Sequence, residues 1–145
     1  MNFLDALNIS SSGLSAQRMR MNLISSNLAN INTTRTDAGG PYKRKDAVFA
    51  AQPLETEFGR ALADRLQAGR NEVLVTAIVD DKRAPLLKYD PDHPDADEKG
   101  YVAMPNINVV EEMVNMISAS RSYEANVTAV KATKEMVSEA IEIGR

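Results

Sequence analysis

The sequence predicts a mainly α chain in which long N- and C-terminal helices pair as an antiparallel coiled coil, with a small β-rich insertion between them. Three observations point there. Apolar residues recur at close to 3.5-residue spacing over both ends of the 145-residue chain. Those same ends carry very little charge. The charge-dense middle contains β-branched runs separated by Pro and Asp turns. The matching division is residues 1–34, 35–108 and 109–145.

In the N-terminal stretch Leu7, Leu14, Met21 and Leu28 fall on one seven-residue row, with Leu4, Ile24 and Ile31 close beside it. Asn2 is a candidate N-cap with Asp5 three residues on, an acidic relative of the capping box. Asn27, Asn30 and Asn32 followed by Thr33 and Thr34 form a natural stop. Such a helix would be a rod of about 40 Å. Gly13 inside it costs ~1 kcal/mol relative to Ala, which marks a place of close packing. From Met1 to Thr34 the only ionisable side chains are Asp5, Arg18 and Arg20.

The C-terminal stretch repeats the pattern. Val109, Met113, Met116, Ser120, Tyr123, Val127, Val130, Lys134, Val137 and Ile141 follow alternating 4-3 spacing, and only Ser120 and Lys134 break the apolar stripe. Asn108 with Glu111 three residues later is an N-terminal capping signature, and Pro105 stands just upstream. Two long seams at opposite ends of one chain are most simply paired with each other. That pairing buries one stripe on each helix and leaves faces of Ser, Asn, Thr and Ala. Either the result is a poorly soluble two-helix coil, or the small uncharged faces pack against neighbouring copies. Interface cores are depleted in charge, which favours the second reading.

In the middle, Val73 to Val79 is a β-branched run ending at Asp80-Asp81; Leu86 to Tyr89 is a second strand and Gly100 to Ala103 a third. Leu54, Phe58, Leu62 and Leu66 recur every four residues, so Glu55 to Ala68 is expected to be a short amphipathic helix.

The composition excludes several function classes. Apolar residues are 43% and charged residues 26%, which is not the composition of a disordered chain. A net charge of −3 argues against a nucleic-acid binder. Without cysteine there are no disulfides, thiol nucleophiles or thiolate metal sites. No apolar run reaches the ~18 residues a membrane span needs, and the first residues lack the basic and apolar regions of a cleavable signal peptide. His93 lies among Asp90, Asp92, Asp95 and Asp97, but the spacing fails the calcium-loop pattern, and a solvated acidic turn explains it better than a cation site. Lys43-Arg44-Lys45 reads as a solvated strand edge or a partner contact. Gly39-Gly40-Pro41 lacks the phosphate-loop frame. With one histidine, no nucleophile–base–orienter set can be assembled, so neither catalysis nor a cofactor is expected.

Ile24 to Thr34, ISSNLANINTT, resembles the N-terminal signature of bacterial flagellar rod and hook proteins. Glu111 to Ile117, with Arg121, Tyr123, Glu124 and Asn126, is similar to the matching C-terminal helix of that family. Gly39 to Lys45, GGPYKRK, and Tyr89 to Met113 resemble the family's proximal-rod members. Only Leu54 to Asn71 falls outside the resemblance. It implies a non-catalytic structural subunit of the flagellar basal body, in a rod that spans the periplasm and transmits torque. In that family the terminal helices form a coiled coil that stacks with neighbours in a higher-order helical assembly. The implied partners are the other proximal-rod and distal-rod proteins, the FliE adapter and the flagellar type III export apparatus, with export needing no cleaved signal peptide. The expected assembly interface comprises Leu7, Leu14, Met21, Ile24, Asn27, Leu28, Asn30 and Ile31, and on the second helix Val109, Met113, Met116, Tyr123, Val127, Val130 and Val137. The competing reading is a cytosolic coiled-coil adapter or regulatory oligomer. It calls for charged outer helix faces, which these stretches lack.

Overall fold

The structure, a computed structural model, describes residues 3–53 and 71–144. Helix α1 spans Phe3–Ala29, followed by strands β1 (Lys45–Pro53), β2 (Asn71–Asp80), β3 (Leu86–Tyr89) and β4 (Tyr101–Met104), and helix α2 spans Val109–Ile143. The expected helix from Glu55 to Ala68 lies outside the described residues.

Helix α1 stops, and α2 starts, on an asparagine. At the end of α1 the Asn30 side-chain amide donates to the Ser26 carbonyl (2.9 Å) and its Oδ1 accepts from the Thr33 hydroxyl (3.1 Å). Asn108 caps α2, its Oδ1 accepting from the Val110 amide at 3.0 Å and the Glu111 amide at 3.4 Å. These side chains satisfy backbone groups that a helix end would otherwise leave unpaired.

Three contacts set the register of the helix pair. Asn27 bonds Glu112, the Arg20 guanidinium reaches the Asn115 side-chain oxygen, and at Gly13 a Cβ would stand 3.1 Å from Asn126 Nδ2. As α1 advances its partners retreat along α2, so the helices run antiparallel. Gly13 accordingly marks the close approach expected of it. The face of α2 turned to α1 is centred on Glu112 and Ala119, with Met116, Tyr123, Asn126, Val130, Thr133 and Val137 in phase and half-buried.

This inner row differs in phase from the apolar stripe at its ends. Val109 and Met113 are 43% and 54% exposed, because Glu112 rather than either of them occupies the position facing Asn27. Ile141 has the inner phase but extends past the level of Phe3 and is 65% exposed. On α1 the buried residues are Ala16, Ile24 and Asn27. Leu7, Leu14, Met21 and Leu28 are half-buried; at 100° per residue their row lies about 100° or more around the helix from Asn27. Leu4 is exposed.

The insertion is two antiparallel hairpins, β1–β2 and β3–β4. Strand β2 extends the predicted Val73 to Val79 by two residues before and one after, β3 lies where predicted, and β4 is shifted on by one residue. Strand β1 has no counterpart in the sequence reading. Its segment, KDAVFAAQP, holds few strand-favouring residues, and it pairs because β2 offers a partner, with a bulge between Val48 and Phe49. The β1–β2 hairpin docks on α1, where the Ser12 hydroxyl oxygen accepts the Val73 amide at 3.1 Å.

Candidate assembly interface

A polar joint fastens the helix pair to the first hairpin. Asn27 is fully buried and uses all four of its side-chain bonding positions. Its amide donates to the Lys45 carbonyl at 2.9 Å and to Glu112 Oε2 at 3.0 Å. Its Oδ1 accepts from the Lys45 amide at 2.9 Å and from the Tyr42 hydroxyl at 3.1 Å. Glu112, 1% exposed, receives the Arg44 guanidinium on its other oxygen at 2.7 Å. Arg44 turns its second edge to Asp46 at 3.0 Å. Burial works against the Arg44 charge, but the bonds to Glu112 and Asp46 outweigh it and hold the guanidinium above the ordinary arginine range. The Lys45 ammonium stands 5.9 Å from the centre of the Tyr42 ring, within cation–π range.

Arg44 through its side chain and Lys45 through its backbone are therefore parts of an internal lock, while the Lys43 and Lys45 residues are exposed. A buried charge is tolerable here because Arg44 and Glu112 compensate each other, Asn27 donates to the second oxygen of Glu112 and Arg44 Nη1 donates to Asp46. Removing the hydroxyl of Tyr42 by Tyr42→Phe should lower stability by about 1 kcal/mol, read as a lower urea midpoint, because Asn27 Oδ1 loses one of two donors. An unchanged midpoint would mean that the hydroxyl contributes nothing there.

Around this joint the helices keep broad uncovered faces. The exposed positions of α1 are Leu4, Asn8, Ser11, Ser15, Arg18, Met19, Asn22, Ser25 and Ala29, carrying a single charge. On α2 the side away from α1 begins with Val110, Val114 and Ile117, which are 69%, 61% and 54% exposed. Of the expected interface residues, Ile24 and Asn27 are buried within the chain. Leu7, Leu14, Met21, Leu28, Asn30, Ile31, Met116, Tyr123, Val127, Val130 and Val137 are half-buried, and Val109 and Met113 stand out in solvent.

The acidic loop is occupied with its own backbone. Asp97 Oδ1 accepts the amides of Lys99 and Tyr101, Asp95 Oδ2 accepts the Thr34 hydroxyl, and His93 Nδ1 accepts the Asp95 amide. Among the described residues no three His, Asp or Glu side chains come together as a metal site. A shallow cleft beside the joint is lined by Arg20, Ile24, Arg44, Lys45, Asp46, Glu111 and Asn115, and its Asp46 is engaged by the Arg44 guanidinium.

Residues 7–35 match the family model described as flagella basal body rod protein, and residues 98–143 match the C-terminal model of flagellar basal body rod FlgEFG proteins. The chain is 45% identical to the flagellar basal-body rod protein FlgC of Borreliella burgdorferi, covering 99% of this chain and 98% of that one. It is 44% identical to FlgC of Bacillus subtilis over 97% of each chain, and 41% identical to FlgC of Yersinia enterocolitica over the full length of both.

Proposed function

The chain belongs to the FlgC family of flagellar basal-body rod proteins and is a structural subunit of that rod; starting from that membership, we propose how its surfaces build the assembly. Segments 1–34 and 109–145 form a supercoiled antiparallel pair that packs against the same segments of neighbouring subunits. Segment 35–108 stands outside or between them. The half-buried row Leu7, Leu14, Met21 and Leu28 and the outer residues Val109 and Met113 meet those neighbours. Met116, Tyr123, Val127, Val130 and Val137 hold the pair together and are completed by them.

The observation that carries this reading is the outer face of α1. A helix facing water carries charges there, whereas this one presents Asn, Ser and Ala with a single arginine. Small uncharged side chains allow close approach, and many such contacts must slide together before a rod of aligned helices can bend or twist. The subunit thereby passes torque without catalysis. Its neighbours are the other proximal-rod proteins, the distal rod and the FliE adapter. It reaches the periplasm-spanning rod through the flagellar type III apparatus with no cleaved signal peptide. Among the described residues no helix is long and apolar enough to cross a membrane.

Leu14→Asp tests the interface. Leu14 is only half-buried within the chain, so the variant should remain soluble and helical by circular dichroism. In a strain lacking the native gene it should be missing from purified basal bodies, and swimming should be abolished. Swimming cells with the variant in their rods would sink the proposal.

A further inference from the structure

We infer that the open face of the β3–β4 hairpin seats the outer ridge of α2 from a second copy of this chain, a contact that rests on the rod reading above. In an antiparallel pair, residues directly opposite share a face. Leu87 with Ala103 and Tyr89 with Tyr101 therefore lie on one side, and Leu86 with Met104 and Lys88 with Val102 on the other. The second side is covered at Val102, which is 1% exposed. The first is open, with Leu87 at 69%, Tyr89 at 64% and Tyr101 at 41%.

That open face is preformed. The two tyrosine rings meet edge to face at 5.3 Å and 67°. Gly100 makes room for them with φ of 79°, in a place where a Cβ would stand 3.0 Å from the Tyr89 ring. Two strands with an uncovered apolar face fall short of independent stability, and a helix laid across them is a standard cover. The ridge Val110, Val114 and Ile117 is such a helix face. Both surfaces remain open within one chain, so neither covers the other. Joining one to the other between copies is a heterologous contact, the kind that propagates along a helical rod.

Charge selects the direction. Beyond Ile117 the ridge continues to Arg121, and beyond the tyrosines the hairpin ends in the loop that exposes Asp92 and Glu98. From Val114 to Arg121 is about 10 Å along the helix. From Leu87 to Asp90 is about 10 Å along the strand. With Val114 on Leu87, Arg121 therefore reaches the acidic loop.

The chain contains no cysteine, so Leu87→Cys and Val114→Cys in separate copies each supply a single thiol. Basal bodies purified from cells making both variants, then mildly oxidised, should hold a mixed disulfide dimer, severalfold more abundant than dimers from cells making either variant alone. Arg121→Glu should cut that yield severalfold, and adding Asp92→Lys with Glu98→Lys should restore it. Basal bodies that contain both variants but no mixed dimer would overturn the contact. So would a dimer equally abundant from Val114→Cys alone. Should either cysteine block incorporation, swimming gives the readout: Arg121→Glu must impair it and the two lysines must restore it, and failure to restore overturns the contact. Absence of the unsubstituted chain from basal bodies would instead overturn the rod reading, and this contact with it.

Discussion

Asn27→Asp should destabilise the folded chain by roughly 3 kcal/mol at neutral pH, the largest loss expected from any single-atom exchange in this molecule. The carboxyl still accepts from the Lys45 amide and the Tyr42 hydroxyl. It can no longer donate to the Lys45 carbonyl, and it faces Glu112 Oε2 where a 3.0 Å hydrogen bond stood before. Two buried carboxylates at that separation repel each other, and Arg44 is already engaged with Glu112 on its far oxygen. The introduced carboxyl is therefore protonated more readily in the folded chain than in the unfolded one. A raised folded pKa means that the penalty is full above that value and shrinks as pH falls through it. Urea unfolding at pH 7 and about pH 5 checks both parts. Wild-type stability at pH 7, or a deficit that does not shrink in acid, would contradict the joint as described.

Ala119→Leu should cost about 2 kcal/mol and lower Tm by roughly 5 °C. Ala119 is fully buried between the Asn115 and Asn126 levels of α2, and Ala16, 3% exposed, lies between Gly13 and Arg20 on α1. Small residues along the seam, Gly13 and Ala16 on α1 and Ala119 on α2, let the backbones come close, and three carbons added at the fully buried Ala119 have nowhere to go without prising the helices apart. Ala125→Leu on the exposed side of α2 is the control, expected to change stability by less than about 0.5 kcal/mol. If both variants melted alike, the seam would not lie where Glu112, Ala119 and Asn126 place it.

Much of this architecture was legible before the structure. Two long helices with the asparagine stop of the first and the asparagine start of the second, the strand at Val73 to Val79 and the strand at Leu86 to Tyr89 all follow from local periodicity and capping. Strand β1 did not, because Lys, Asp, Ala and Gln have no marked strand preference and the pairing with β2 decides their conformation. The joint was equally hidden. Asn27 read as part of a helix stop and of the assembly interface, Arg44 as part of a solvated strand edge or a partner contact, and Glu112 only as one residue of a family stretch, and each reading is reasonable for the residue alone. Their meaning lies in bonds across 68 and 85 residues, which no local pattern carries. The seam of α2 was misphased at its start for a related reason. Val109, Val110, Met113, Val114 and Ile117 lie within an arc of about 140° that turns away from the buried Glu112, so the apolar pattern points to the wrong side there and the buried glutamate decides the inner face.

The span of the Asn27–Glu112 bond also sets an order of events. Whatever handles this chain from its first residue onward receives a leading helix whose latch is still missing, since the other half arrives only with position 112. Until then the leading helix has its bonds to Tyr42, Lys45 and Val73 but not its seam with the returning helix. Once position 112 emerges, the clasp closes in one step over the helix end, the hairpin root and the returning helix together.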